Sequence, residues 1–211
     1  MKYKLYTEEK YNSPIEQVLR GRGIDDVRGW LDADMSIVSP FSALKNIDLA
    51  VDMLKRHIDD DNNVLILVDC DVDGYTSAAI LINFLYSLYP KWINNHLDYI
   101  HHTGKQHGLA DIMQGEEWKN YDLIICPDSS SNDYEQHEQL LRNGEELIIL
   151  DHHEAPHISE SKNTITVNNQ LCDYPNKDFS GAGIVWQFCR AYNSINNVEG
   201  ELSTDLCALG L

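Results

Sequence analysis

The chain has 211 residues, 43% of them hydrophobic and 24% charged, a composition that suits one globular α/β domain with a small appendage. No apolar run nears the roughly 20 residues that a membrane span needs, and five scattered cysteines without a C-x-x-C pair argue against a disulfide framework or a zinc site. With 34 acidic against 16 basic residues the formal net charge is -18, which argues against a protein that grips nucleic acid by overall phosphate neutralisation.

Residues 1–60 read as a mainly helical lead-in, and residues 61–211 as the domain that carries the chemistry. The first residues have no apolar stretch of the secretory kind, and the cysteine usage suits a reducing cytosol, so a cytoplasmic protein is expected. Ser13-Pro14-Ile15-Glu16 has the form of a capping box with Pro at the first helical position; a short helix follows to Arg20, ended by Gly21 and Gly23. A second short helix is predicted over Asp25 to Leu31, and Ile47, Val51, Leu54 and Ile58 fall on one face of a third.

From residue 64 the pattern changes. Val64–Val68, Leu123–Cys126 and Leu147–Leu150 are continuous apolar runs, as in central strands of a parallel sheet covered on both faces. Helices are predicted over residues 75–89, 133–143 and 183–192, with further strands at 97–100 and 164–167. The alternation implies an α/β fold: a doubly wound, mainly parallel sheet with helices on both faces.

Each strong strand runs into an aspartate cluster. The first leads into Asp69-Cys70-Asp71-Val72-Asp73-Gly74, the second into Pro127-Asp128, the third into Asp151-His152-His153. Ligands of open parallel sheets bind at the carboxyl ends of the strands, so one edge would present up to five carboxylates and two imidazoles. Carboxylates so close repel unless they protonate or bind cations. Carboxylates with neutral histidines suit Mn²⁺ or Mg²⁺, and two such ions make a clamp for phosphoryl displacement. Asp-x-Asp-x-Asp-Gly also opens an EF-hand loop, but that loop needs a Glu where Ile80 stands, and flanking helices instead of a buried strand. A lone Asp-His-His, or a lone Asp128, is no more than an ordinary strand end.

Together these motifs resemble the DHH phosphoesterase superfamily. Val68-Asp69-Cys70-Asp71-Val72-Asp73-Gly74 with Thr76-Ser77 is similar to the form seen in RecJ-type single-strand exonucleases, without the His and Pro-Asp of the pyrophosphatase and nano-RNase branches. Pro14 to Ile24, Trp30-Leu31, Ser39-Pro40-Phe41 and Ala50–Ile58 resemble the RecJ helical lead-in, and Gly181-Ala182-Gly183 a glycine-rich helix start. The resemblance implies that Asp71 and Asp73 each bind one of two Mn²⁺ (or Mg²⁺) ions, that Asp128 bridges them and that His152 completes the ligands of the second ion. It implies that His153 contacts the scissile phosphate and that Asp151 orients a histidine, with Asp69 at the site edge. His107-Gly108-Leu109 resembles part of a Gly-Tyr-Gly-Leu element and implies substrate contacts by His107 and Gly108. The implied activity is 5′-to-3′ exonuclease action on single-stranded DNA in repair or recombination, with single-stranded nucleic acid, and DNA-repair or replication proteins, as partners.

The sequence departs from the pattern in places. Ser129-Ser130-Ser131 stands where the family has a glycine, and His102-Thr103-Gly104-Lys105-Gln106 lacks an expected arginine and glycine. Asp205–Leu211 resembles the approach to a last metal-binding aspartate that would lie just beyond Leu211, and no DHH-associated domain is expected within these residues; the reading is a fragment, itself with weak or no exonuclease activity, or a divergent short phage-like protein. Two other readings stand: a phosphodiesterase for short oligonucleotides or cyclic dinucleotides, and an inactive DHH scaffold that binds a partner.

Overall fold

The computed structural model describes residues 11, 13–102 and 107–210. The chain divides into two compact units, Met1–Ser39 and Pro40–Leu211. In the first, α1 (Pro14–Gly21) and α2 (Val27–Leu31) precede a 3-10 turn, Met35–Ile37. The capping box expected at Ser13 does not form, because the Ser13 side chain makes no cap hydrogen bond and Glu16 pairs instead with Arg20 at 3.0 Å, one turn along. Asp26 caps α2 by accepting from the Gly29 N–H.

The second unit is an α/β sheet. Its five strands are β1 (Val64–Val68), β2 (Leu97–His101), β3 (Leu123–Pro127), β4 (Glu146–Asp151) and β5 (Thr164–Asn168). All pairings are parallel, in the order β2-β1-β3-β4-β5. Helices α3 (Ile47–Asp59), α4 (Val72–Leu88), α5 (Pro90–His96), α6 (Leu109–Ile112), α7 (Tyr134–Asn143), α8 (Gly181–Asn196) and α9 (Thr204–Leu209) surround it.

Successive strand residues point to opposite faces, and the core divides accordingly. Val64, Ile66, Val68, Ile125 and Ile148 face a cluster built with α3, α4 and α8. Leu65, Leu67, Ile124, Cys126 and Ile149 face a second, smaller cluster with Leu109, Trp118 and Leu140. The sheet is therefore covered on both sides, as its uninterrupted apolar runs require. Ala50, Val51, Leu54 and Ile58 of α3 lie in the same core as β1.

The order places β1 between β2 and β3. Chain progress turns one way from β1 to β2 and the other way from β3 onward, so a crevice opens at the carboxyl ends of β1 and β3, the topological switch point where such sheets bind ligands. Two boundaries sharpen that crevice. Helix α4 begins at Val72, earlier than the apolar periodicity suggests, because the Asp71 carboxylate caps it by accepting from the Gly74 N–H at 2.9 Å. Helix α8 begins at Gly181, where Ser180 Oγ accepts from the Gly183 N–H.

Candidate metal centre

Asp69 follows β1 and is 2% exposed. Its Oδ2 lies 2.7 Å from His107 Nδ1, and its Oδ1 is buried without a hydrogen bond among the described residues. Gly74 makes this loop possible, since a Cβ there would stand 2.5 Å from Asp69 Cβ. Asp73 turns toward α8: its Oδ2 accepts from the Gly181 N–H at 2.8 Å and its Oδ1 from the Ala182 N–H at 2.7 Å. The loop after β1 is thus anchored to the positive end of a helix more than a hundred residues away.

Asp128, after β3, is 1% exposed and holds a left-handed backbone at φ 62°. Aspartate tolerates that conformation better than most residues. Among the described residues neither carboxylate oxygen has a well-aligned hydrogen-bond donor. His152 Nε2 stands 3.2 Å from Asp128 Oδ1 and 3.6 Å from Asp73 Oδ2. A side chain at position 181 would collide with Asp128, its Cβ lying 2.2 Å from Oδ1, so Gly181 leaves the room that the carboxylate occupies. Among the three serines that stand where a glycine was expected, Ser130 has a positive φ, 77°, and its carbonyl accepts from His137 Nε2 at 2.9 Å.

Asp151, at the end of β4, works differently. Its Oδ1 accepts from the backbone N–H groups of His152 and His153 and lies 2.8 Å from His153 Nδ1; its Oδ2 accepts from the Ser131 N–H. Burial alone would raise its pKa, but these donors outweigh burial and hold it at about 2. The same pairing lifts His153 to about 9. Asp128 moves the other way, to about 6: burial and the nearby charges of Asp73 and Asp151 raise it more than His152 lowers it. The contact with Asp128 in turn raises His152, and hydrogen bonding to Asp69 raises His107.

Ligand atoms of Asp69, Asp71 and Asp128 lie within 4.8 Å of one another, and so do those of Asp128, His152 and His153. Asp128 belongs to both sets. Buried carboxylate oxygens without aligned donors, flanked by further carboxylates, are costly in a metal-free protein and suit divalent cations, so this residue set fits a metal centre. The ligand atoms, oxygen with some imidazole nitrogen, suit Mn²⁺ or Mg²⁺.

The structure therefore brings Asp69, Asp71, Asp128, His152 and His153 together, with Asp73 joined to them through His152 and α8. His107 stands at the same edge, its ring 5.3 Å from that of His153 in an edge-on arrangement. Gly108 serves the turn: φ is 72°, and the following N–H, of Leu109, donates to Asp133 Oδ2 at 2.8 Å. The neighbouring Thr103-Gly104-Lys105-Gln106 lies outside the described residues. Sequence reasoning left out Asn168, the last residue of β5, whose Nδ2 donates to Ser131 Oγ at 2.8 Å and to the His153 carbonyl at 2.9 Å. The strand-end rule that singled out the aspartates would have found it.

The sequence profile of the DHH family, N-terminal domain, matches residues 63–211. The chain belongs to the DHH family. It is 40% identical over 214 residues to YorK, an SPbeta prophage-derived protein of Bacillus subtilis (strain 168) whose name assigns it provisionally as a single-strand DNA-specific exonuclease; the match covers 100% of this chain and 36% of that one. To the single-stranded-DNA-specific exonuclease RecJ of the same organism it is 25% identical over 218 residues, covering 99% of this chain and 27% of the relative. Among solved structures, RecJ of Thermus thermophilus in complex with Mn²⁺ superimposes with a TM-score of 0.71 at 22% identity, over 91% of this chain and 27% of that one. The DHH fold is thus shared, and the chain spans between about a quarter and about a third of the length of these relatives.

Proposed function

We propose that this DHH chain forms the front part of the catalytic core of a RecJ-like exonuclease that hydrolyses phosphodiesters of single-stranded DNA from the 5′ end. The observation that carries the reading is Asp128: buried, without a well-aligned donor on either oxygen, and common to both ligand sets. Asp71, Asp73, Asp128 and His152 would hold two Mn²⁺ or Mg²⁺ ions, with Asp128 between them and Asp69 close enough to join the first. Those ions would supply charge neutralisation at the phosphate and activation of water.

The chain's own groups do the rest. Asp151 fixes the His153 ring through Nδ1, so that a proton on Nε2 would be aimed at a phosphate oxygen. Asp69 orients His107 toward the same edge from the other side. The α8 N-terminus holds Asp73 in place, and Gly181 keeps the wall beside Asp128 clear. The names of the relatives support single-stranded DNA as substrate; DNA-repair or replication proteins in the cytoplasm would then be the partners. No helix among the described residues is long and apolar enough to cross a membrane. The net charge of -18 favours a second reading, hydrolysis of short oligonucleotides or cyclic dinucleotides, which need no long basic channel.

The test, on the full-length protein whose catalytic core this chain is proposed to begin, is digestion of a 5′-phosphorylated single strand with Mn²⁺, beside the same strand blocked at its 5′ end, a duplex and a dinucleotide. Release of mononucleotides from the phosphorylated strand, abolished by EDTA and by Asp128→Ala, is expected. Digestion of the dinucleotide alone favours the second reading, and an active Asp128→Ala protein overturns the assignment of the centre.

A further inference from the structure

A groove of about 320 Å³ lies beside the candidate centre, between α4 and the edge strand β2. On the helix side it is lined by Tyr75, Ala78, Ala79 and Ile82, the i, i+3, i+4, i+7 stripe of one helical face. On the strand side stand Tyr99 and His101, alternate residues of one sheet face, and Val68 closes the floor. Tyr75 is 49% exposed and Tyr99 62%. The two alanines leave the space that the tyrosine rings border.

Its position ties it to the centre. Val68 is the last residue of β1 and is followed directly by Asp69, and His101 is its register partner on β2, so the groove opens at the carboxyl edge of the sheet. Tyr75 lies four residues after Asp71, the N-cap of α4, and its N–H donates to the Asp71 carbonyl at 3.0 Å.

Its chemistry selects the occupant. In a chain with 34 acidic residues, no carboxylate among the described residues lines this groove, and neither does a lysine or an arginine. A phosphate would find no fixed cation among them, and a basic peptide no anion. A planar, uncharged aromatic group would find two tyrosine rings and an apolar floor, which is how strand-binding proteins hold bases without reading sequence. In a protein of net charge -18, stacking also supplies affinity that phosphate contacts cannot.

We infer that the groove between α4 and β2 is a nucleobase subsite, in which Tyr75 and Tyr99 stack on a base of the single strand whose phosphate occupies the neighbouring centre. This deepens the exonuclease reading and rests on it.

The experiment is a cycle between protein and substrate. KM and kcat for Mn²⁺-dependent digestion are measured for the protein, Tyr75→Ala and Tyr75→Phe, on a normal single strand and on one carrying abasic sites near the 5′ end. Mn²⁺ affinity is measured by calorimetry in parallel. On the normal strand Tyr75→Ala should raise KM about 5- to 150-fold, equivalent to about 1–3 kcal/mol at tenfold per 1.4 kcal/mol. Tyr75→Phe should restore it, and Mn²⁺ affinity should stay that of the parent. On the abasic strand the alanine and parent proteins should have equal KM. An equal KM increase on both strands, or none on either, overturns the subsite and leaves the exonuclease reading standing; such a groove is a packing surface for other parts of a protein. Failure of the parent to digest any single strand overturns both.

Discussion

Asp128 and Ser130 hold left-handed backbone two residues apart, a conformation that costs free energy in a residue with a Cβ and persists only when its surroundings impose it. Part of that support is His137, which is buried and bridges the Ser130 carbonyl through Nε2 and Ser159 Oγ through Nδ1. Nε2–H donates to the carbonyl, so the neutral ring accepts from the serine hydroxyl. Burial holds the His137 pKa below its ordinary value near 6.5, more than the Ser130 carbonyl and the charge of Asp133 raise it. The unfolded chain then takes up the proton first as pH falls. Stability from this group is full above about pH 6.5 and is lost as pH drops through 6.5 toward the lower folded value. Urea unfolding in EDTA should show the stability difference between the parent and His137→Asn shifting against the parent as pH falls over that interval. Equal slopes would mean that His137 is not held neutral.

At the scale of elements, the centre depends on α8 as much as on the strand ends. Gly181 is both an N–H donor to Asp73 and the gap beside Asp128. Gly181→Ala should therefore displace Asp128 or the start of α8 and weaken Mn²⁺ binding about tenfold or more, the scale of losses from disturbed supporting groups at metal sites. Retained helical circular dichroism with weakened calorimetric binding is the expected pair of results; parent-like binding would show that the wall yields.

The same elements show what a sequence reveals. The five strands were legible because their apolar runs, or their place in the alternation, leave few other readings, and the strand-end aspartates followed from the sheet. Helix α5 was not: Trp92 and Ile93 are its only buried residues, too few to make a stripe. Helix α9, six residues with none buried, carries no periodic signal. The start of α4 was masked by Asp71, whose role as a cap competes in the sequence with its role as a candidate ligand. The Asp73 anchor was beyond reach because it is made by backbone N–H groups, which every residue but proline offers, across 108 positions of sequence.

At the scale of the whole molecule, the charge of -18 and the acidic centre belong to one account. A field of carboxylates repels a polyanion until cations reverse its sign locally. Cations held at the switch point between β1 and β3 would confine that reversal to one crevice of an otherwise acidic DHH chain. The central claim is that Asp128 is shared by two metal ions, and titration of Mn²⁺ into the protein and into Asp128→Asn, followed by calorimetry and by the electron paramagnetic resonance of the bound ions, tests it most directly. The account predicts two bound Mn²⁺ that are magnetically coupled in the parent, and affinity lowered about tenfold or more at both sites in the variant. Two uncoupled ions in the parent, or a variant that loses one ion and binds the other as before, would contradict it.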